Sequence, residues 1–132
     1  MATLTAKLNL SSSNVSTDNL NVLLSKVLTV GGDYRSFRKV IASGASNLET
    51  ANIVIGNASY GKAYVLLHNT SIVAAEIITI GENADTNAAL DYTNIALGAG
   101  EFAFYPWDSS VDLVADAASG NPVLEVMIFE AS

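Results

Sequence analysis

The single histidine, His68, is the side chain best suited to acid–base or metal chemistry near neutral pH. It lies in an alternating, strand-like segment and is followed by Asn69 and Thr70. A zinc site typically needs about three or four nitrogen or sulfur ligands, and the chain has no cysteine to supply them. A general base needs a nucleophile and an orienting acid, and the sequence places neither nearby. We therefore interpret His68 as a structural residue.

Carboxylates are frequent in the second half of the chain, where they could serve acid catalysis or cation binding. A hydrolase needs two carboxylates in one cleft with separated pKa values. Here they are dispersed over predicted turns and strand ends: Glu82, Asp85, Asp91, Asp108, Asp112 and Asp116. The segment 82–87 offers oxygen ligands, yet it has neither the turn glycine nor the distal glutamate of a calcium loop. We expect no catalytic residue, no metal and no cofactor, and hence no enzyme.

Aromatic residues are concentrated next to a short glycine turn. The turn, Gly98–Gly100, lies between two predicted strands, whereas dinucleotide binding requires a strand and a helix around it. The rings that follow are Phe102, Phe104, Tyr105 and Trp107. Such rings can stack on a sugar or a base, but a core or a subunit interface is their more frequent location. We predict that Phe102 and Phe104 point into the core and that the cluster contributes to an interface.

The charges are divided unequally along a chain whose net charge is −7. All six basic residues precede residue 67, as do three of the thirteen acidic residues, so residues 67–132 carry ten acids and no base. This distribution does not provide the dense basic face of a nucleic-acid-binding protein. The basic residues Arg35, Arg38 and Lys39 are instead candidates for docking on an acidic protein surface. The alternative is that the two halves interleave in the fold and the charges mix.

Strands must position these residues, because most of the apolar pattern has period two. Leu4–Leu10 alternates with polar residues, and Ala63–His68 is apolar on both faces, as in a central strand. Further strands are predicted over Phe37–Ala42, Ala51–Ile55, Ile72–Ile80, Tyr92–Leu97, Glu101–Trp107, Val111–Ala115 and Val123–Phe129. Glycine-rich turns separate them, among them 31–33, 81–87 and 120–122.

About nine or ten short strands at spacings of roughly 8–12 residues are typical of a sandwich or barrel. We predict an all-β fold, a jelly-roll-like antiparallel β-sandwich in which residues 1–132 form a single domain. Residues 1–16, rich in Ser, Thr and Asn, could form an extended N-terminal arm.

The segment 18–30 fits two different periods. Leu20, Leu23, Leu24 and Val27 have helical spacing, which predicts one short helix at 18–30. Read at period two, the segment has an apolar face that Lys26 interrupts, which predicts a strand. The residues of that face are Leu20, Val22, Leu24, Leu28 and Val30. We favour the strand because the neighbouring segments are β and the end of the segment is β-branched, with the helix as the alternative.

Composition limits the class of protein. Half of the 132 residues are apolar and only 14% are charged, which indicates a globular domain. No stretch approaches the roughly 18 apolar residues of a membrane span. The N-terminus does not have the pattern of a secretory signal. We expect a chain made in a cytoplasm, with no membrane and no nucleic acid as partner.

The most distinctive segment is Leu97–Trp107, with the sequence LGAGEFAFYPW. It resembles the L-x-x-G-E-F-x-F-x-P pattern of small virion proteins predicted in marine and cyanobacterial tailed phages. Ala63–Thr70 is similar to their Y-V-x-x-x-N-T strand and turn, and Ser119–Phe129 is similar to their S-G-x-P-x-x-E segment. The resemblance covers roughly residues 60–132.

This resemblance implies a non-enzymatic virion structural protein made in the cytoplasm of a host bacterium. The function it indicates first is that of a capsid decoration or cement protein on the capsid surface. Its partners would be the major capsid protein, whose shell it stabilises, and further copies of itself, with a trimer as the natural oligomer. The alternatives are a tail or neck component, such as a fibre, knob or baseplate part, and a carbohydrate-binding β-sandwich module. The candidate interface residues are Arg35, Arg38, Lys39, Phe102, Phe104, Tyr105 and Trp107.

Overall fold

The computed structural model describes residues 2–15, 17–44, 52–55, 62–83, 92–108 and 112–131. These residues form nine strands in two antiparallel sheets and no helix, so none of them belongs to a helix that could cross a membrane. The prediction of an all-β sandwich is confirmed. The strands are β1 (Ala2–Ser12), β2 (Leu20–Val40), β3 (Asn52–Ile55), β4 (Lys62–Asn69), β5 (Ile78–Asn83), β6 (Tyr92–Leu97), β7 (Phe102–Asp108), β8 (Asp112–Ala117) and β9 (Val123–Ala131).

The two sheets draw on both halves of the chain. The five-stranded sheet has the order β1-β2-β9-β4-β7, and the four-stranded sheet has the order β3-β8-β5-β6. From β2 onward the chain changes sheet at every connection except the one between β5 and β6. In the five-stranded sheet β9, which carries Glu125 and Glu130, lies between β2 and β4 of the more basic first half, so the charges of the two halves mix there.

The core lies between the sheets and follows from alternation along strands such as β4 and β9. In β4 the side chains of Ala63, Val65 and Leu67 are fully buried, while their neighbours along the strand are only half-buried. Each fully buried aliphatic side chain of this kind contributes about 1.5–3 kcal/mol of transfer free energy. The largest buried side chains that meet there from both sheets are Trp107, Ile41, Leu67, Ile78, Ile80, Leu113, Leu124 and Ile128.

The segment 18–30 is a strand, and the helical alternative is wrong. Residues 20–30 pair with β1 in a register that sets Leu4 opposite Leu28 and Leu8 opposite Leu24. This pairing satisfies the backbone and aligns apolar side chains, which an isolated short helix could not do. Residues 1–16, considered as an extended N-terminal arm, contribute β1, with residues 1 and 16 outside the described part of the chain.

The glycine-rich segment 31–33 does not reverse the chain as predicted. β2 continues through it, and the pairing register shifts between Val30 and Tyr34, as at a β-bulge. Residues before the shift pair with β1, and residues after it pair with β9. The shift thus divides β2 into one half that belongs to a two-stranded hairpin and one half that belongs to the sandwich.

The predicted strand Ile72–Ile80 begins only at Ile78, because a buried side chain holds the preceding residues in a loop. Asn69 is fully buried, and its Nδ2 donates hydrogen bonds to the carbonyls of Glu76 (2.8 Å) and Leu97 (3.0 Å). Its Oδ1 accepts a hydrogen bond from the backbone N–H of Ser71 (3.0 Å). Asn69 therefore joins the end of β4 to the 70–77 loop and to the end of β6, across the two sheets.

Two glycines close the turns next to this contact. Gly100 (φ 78°) lies in the turn in which the N–H of Glu101 donates to the carbonyl of Gly98, a geometry that requires positive φ at the third position. Gly120 (φ 63°) lies beside Glu76, and a Cβ there would come within 2.1 Å of a Glu76 carboxylate oxygen. Both positions therefore require glycine.

We predict that Asn69→Ala lowers the free energy of unfolding by about 2–4 kcal/mol, because it leaves buried carbonyls without a donor. The control Asn94→Ala, at an exposed position of β6, should change it by less than about 0.5 kcal/mol. Urea unfolding followed by circular dichroism measures both changes. Equal effects of the two variants would contradict the role assigned to Asn69.

Asn69→Asp gives a test that depends on pH. Burial raises the pKa of the introduced carboxyl in the folded state, so the folded state retains its proton to higher pH than the unfolded state. Stability is then lost as the pH rises above about 3.9, the ordinary pKa of aspartate. We expect the stability difference from the wild-type chain to be smaller at pH 4 than at pH 7 in the same urea experiment.

Candidate interaction surface

The five-stranded sheet has a second apolar face, on the side away from the four-stranded sheet. We call it the outer face. Antiparallel partners point to the same side, so the strand registers arrange this face in rows. The first row is Tyr34, Phe129, Tyr64 and Pro106; the second is Ser36, Met127, Leu66 and Phe104; the third is Arg38, Glu125, His68 and Phe102.

Aromatic contacts stabilise the apolar rows. The rings of Tyr34 and Phe129 stack with centroids 5.6 Å apart, and those of Tyr64 and Phe104 stack at 6.4 Å. The Nζ of Lys62 lies 5.3 Å from the centroid of the Tyr64 ring. Offset stacks of this kind are worth about 0.5–1.5 kcal/mol beyond their buried area. The outer face is therefore an ordered surface of rings that the core does not cover.

A two-stranded hairpin adjoins the outer face. It consists of β1 and the first half of β2, residues 2–30, and we call it the hairpin. Val30 pairs with Ala131 at the C-terminal end of β9, and the earlier residues of β2 pair with β1. One face of the hairpin, which we call the leucine face, is formed by Leu4, Ala6, Leu8, Leu10, Leu20, Val22, Leu24 and Leu28, with Lys26 as its charged residue.

The leucine face and the outer face line an open groove of about 790 Å³. The hairpin contributes mainly Leu4, Leu8 and Leu24, and the sheet contributes Leu66, Phe102, Phe104 and Phe129. Several of these side chains remain accessible, and 61% of Leu24 and 66% of Phe102 are exposed. Contiguous apolar surface of this kind is typical of sites where proteins bind other molecules.

The predicted aromatic cluster is divided by strand alternation. Phe102 and Phe104 lie on the outer face, so the prediction that they point into the core is wrong. Tyr105 and Trp107 point the other way, with Tyr105 packed against the core and Trp107 only 1% exposed. The physical reason is strand alternation: Trp107 enters the core, and Phe102 and Phe104 lie an odd number of residues before it, so they point to the opposite side. A surface platform of all four rings is therefore not formed.

The three predicted basic residues lie on the open edge of the sandwich but do not share one face. Arg38 is on the outer face, where its guanidinium donates to Glu125 at 3.0 Å. Arg35 lies three residues before Arg38 and Lys39 lies one residue after it, so both point to the opposite face. Among the described residues, 34–40 pair with β9 on one side, and no strand pairs with their other side. These residues therefore form a basic edge.

His68 lies on the outer face between Glu125 and Phe102 in the third row. It has no second histidine or cysteine beside it, since the chain has none. In the part of the chain that the structure describes, no three His, Asp or Glu side chains are grouped as metal ligands. Residues 84–87 of the segment considered for calcium lie outside that part.

Sequence reasoning missed most of the outer face. Tyr34, Tyr64, Met127 and Phe129 were not among the candidate interface residues, although they form its apolar rows. A signal was present in Ala63–His68, whose residues are apolar on both faces of the strand. That pattern predicts a central strand, which is confirmed, but it does not reveal that the second side remains uncovered.

Tyr105, which packs against the core beside this surface, has a shifted pKa. Burial raises the pKa of its phenol above the ordinary value, and the negative charge of Glu82 raises it further. The folded state therefore holds this proton to higher pH than the unfolded state does. Stability is present below about pH 10, the ordinary pKa of tyrosine, and decreases as the pH rises above it.

We predict that Tyr105→Phe removes this alkaline loss of stability. Between pH 9 and about pH 11 the wild-type free energy of unfolding should fall more steeply than that of the variant. The control Tyr34→Phe, at an exposed ring, should retain the wild-type slope. Urea unfolding at a series of pH values measures the slopes, and parallel slopes for wild type and Tyr105→Phe would contradict the assignment.

Comparison with known proteins does not place the chain in a family. No protein-family model matches it, and neither a curated protein nor a solved structure shows significant similarity to it. The features of the molecule that bear on its function are therefore the outer face, the hairpin and the basic edge.

Proposed function

We propose that this chain is a non-enzymatic phage virion protein, a capsid decoration protein that binds the major capsid protein and stabilises its shell. The observation that carries the proposal is the apolar outer face, which continues onto the hairpin around an open groove. A folded domain that presents two apolar sheet surfaces is suited to contact with other proteins. The resemblance of Leu97–Trp107 to small virion proteins supports a virion as the site of that contact.

The order of the strands supports the same proposal. Without β1, the sheets are β2-β9-β4-β7 and β3-β8-β5-β6, and the chain crosses between them at nearly every connection. We infer from this order that the sandwich is a jelly roll, an architecture found in viral capsid and lectin domains. A fold alone does not assign a function, so the strand order supports the virion proposal together with the motif.

The charged side chains of the basic edge support docking on the shell through electrostatic attraction. Arg35 and Lys39 lie on an open strand edge in a chain of net charge −7. Complementary charge chiefly sets the rate and orientation of docking. We propose that this edge meets an acidic surface of the shell, while the acidic positions elsewhere face solvent.

The first test is the copy number of the chain in purified virions of the source phage, measured by quantitative mass spectrometry against the major capsid protein. We expect a ratio that corresponds to hundreds of copies, as a shell component requires. A few copies, matching a tail or neck ring, would overturn the decoration proposal in favour of a tail component. Absence from virions would overturn the virion proposal altogether.

A second test uses the basic edge. We expect Arg35→Glu/Lys39→Glu to weaken co-sedimentation with undecorated shells by tenfold or more at low salt, and less at high salt, because screening shortens electrostatic range. The control Arg35→Lys/Lys39→Arg exchanges the same two side chains and keeps their charge, so it should bind like the wild-type chain. Equal binding by both double variants would contradict docking through the basic edge.

A further inference from the structure

The basic edge is the part of β2 where the five-stranded sheet ends on one side. Residues 20–30 pair with β1 on that side. Among the described residues, 34–40 pair only with β9, on the other side, so the row of β1 does not continue beside them. A strand edge of this kind presents backbone donors and acceptors that can pair with another strand.

The hydrogen bonds to β9 determine which residues turn their backbone toward the open side. The N–H of Ile41 donates to the carbonyl of Pro122 at 2.9 Å, so Ile41 is a hydrogen-bonded position opposite β9. Hydrogen-bonded and non-hydrogen-bonded positions alternate along an antiparallel pair. The register is unbroken over 34–40. The positions that direct both backbone groups away from β9 are therefore Tyr34, Ser36, Arg38 and Val40.

We propose that this edge accepts an added antiparallel β-strand from an acidic, extended segment of a partner. The identity of the partner rests on the proposed function, under which the segment belongs to the major capsid protein. Antiparallel addition continues the row of β1, which pairs antiparallel with β2 on the same side. In strand addition, main-chain hydrogen bonds supply affinity and alternate side chains supply specificity.

Charge favours an acidic strand over a second copy of the same edge. Three of the seven residues in 34–40 are basic, namely Arg35, Arg38 and Lys39, and none is acidic. Two such edges placed side by side repel each other, because like charges directly opposite destabilise a strand pair. An acidic strand meets the opposite charge at the same positions.

Strand alternation defines the side chains that the added strand needs. Arg35, Phe37 and Lys39 share one face, and Phe37 packs against the core. Because directly opposite side chains interact, the residues facing these three should be an acid, an apolar residue and an acid. Tyr34 and Val40, 60% and 57% exposed, take apolar partners. The matching segment of seven residues is apolar at its first, fourth and seventh positions and acidic at its second and sixth.

The remaining edges of the five-stranded sheet fit an acidic strand less well. β7 carries Pro106, which has no N–H to contribute to a ladder. β1 has no proline, but Lys7 is its single charged residue. The basic edge therefore combines an open backbone with the charge that selects the partner.

The first experiment measures binding of two peptides with blocked ends to the full chain by fluorescence anisotropy. We expect Val-Glu-Thr-Val-Thr-Glu-Val to bind and Val-Lys-Thr-Val-Thr-Lys-Val not to bind. Arg35→Glu/Lys39→Glu should reverse this preference, whereas the control Arg35→Lys/Lys39→Arg should retain it. An acidic peptide that does not bind the wild-type chain, or equal binding of both peptides, would overturn the inference.

The second experiment separates strand addition from charge attraction alone. N-methylation of the third and fifth residues of the acidic peptide, which face Arg38 and Ser36, should weaken binding by about tenfold or more, because it removes ladder hydrogen bonds. N-methylation of the second and fourth residues, whose N–H groups point away from β2, is the matched control and should weaken it less. Equal binding by the two methylated peptides would contradict strand addition.

The same distinction is made in the protein at Ser36. Ser36→Pro removes a backbone donor of the open edge, and Ser36→Ala keeps it, so we expect only the proline variant to lose peptide binding. Circular dichroism checks that both variants are folded. Peptide binding and virion copy number fail separately. A chain that binds the peptide but is absent from virions refutes the proposed function, and an abundant virion protein that does not bind it refutes strand addition.

Discussion

The buried amide of Asn69 is the contact on which the arrangement of the two sheets depends. One side chain satisfies the carbonyls of Glu76 and Leu97 and the N–H of Ser71, so it joins a strand of one sheet to the end of a strand in the other. The turn that follows β6 is held in place by the backbone of the same residue, which accepts from Gly100 and donates to Glu101. Because a buried polar group left unpaired is costly, these partners must be assembled together. The contact thereby determines where β5 begins and how β7 enters the five-stranded sheet.

The position of β7 has a direct consequence for the surface. Once Trp107 enters the core, alternation places Phe102 and Phe104 on the opposite side, beside Leu66. The five-stranded sheet is therefore apolar on both faces, although the sandwich covers only one of them. The hairpin partly covers the other face and leaves a groove. The same alternation that builds the core thus produces the surface that we assign to interaction.

The hairpin and the basic edge have a common origin in the register shift of β2. Before the shift the strand pairs with β1; after it the strand pairs with β9, and no strand among the described residues pairs with its other side. Arg35 and Lys39 lie on that open side, whereas the leucine face lies on the hairpin.

The sequence by itself determined the fold class, most strand positions and the choice of strand for 18–30, because period-two alternation is a local property that the backbone expresses directly. It could not determine which face of an alternating strand is covered, since that depends on which sheet packs on it. Phe102 and Phe104 were therefore predicted in the core, and Tyr34, Tyr64 and Phe129 were missed as surface residues. The loop at 70–77 likewise has a strand-like sequence and becomes irregular only through the tertiary contacts of Asn69. Tertiary structure decided these features because Leu97, which accepts from Asn69, belongs to the opposite sheet, and β9, which pairs with β2 and β4, comes from the other end of the chain.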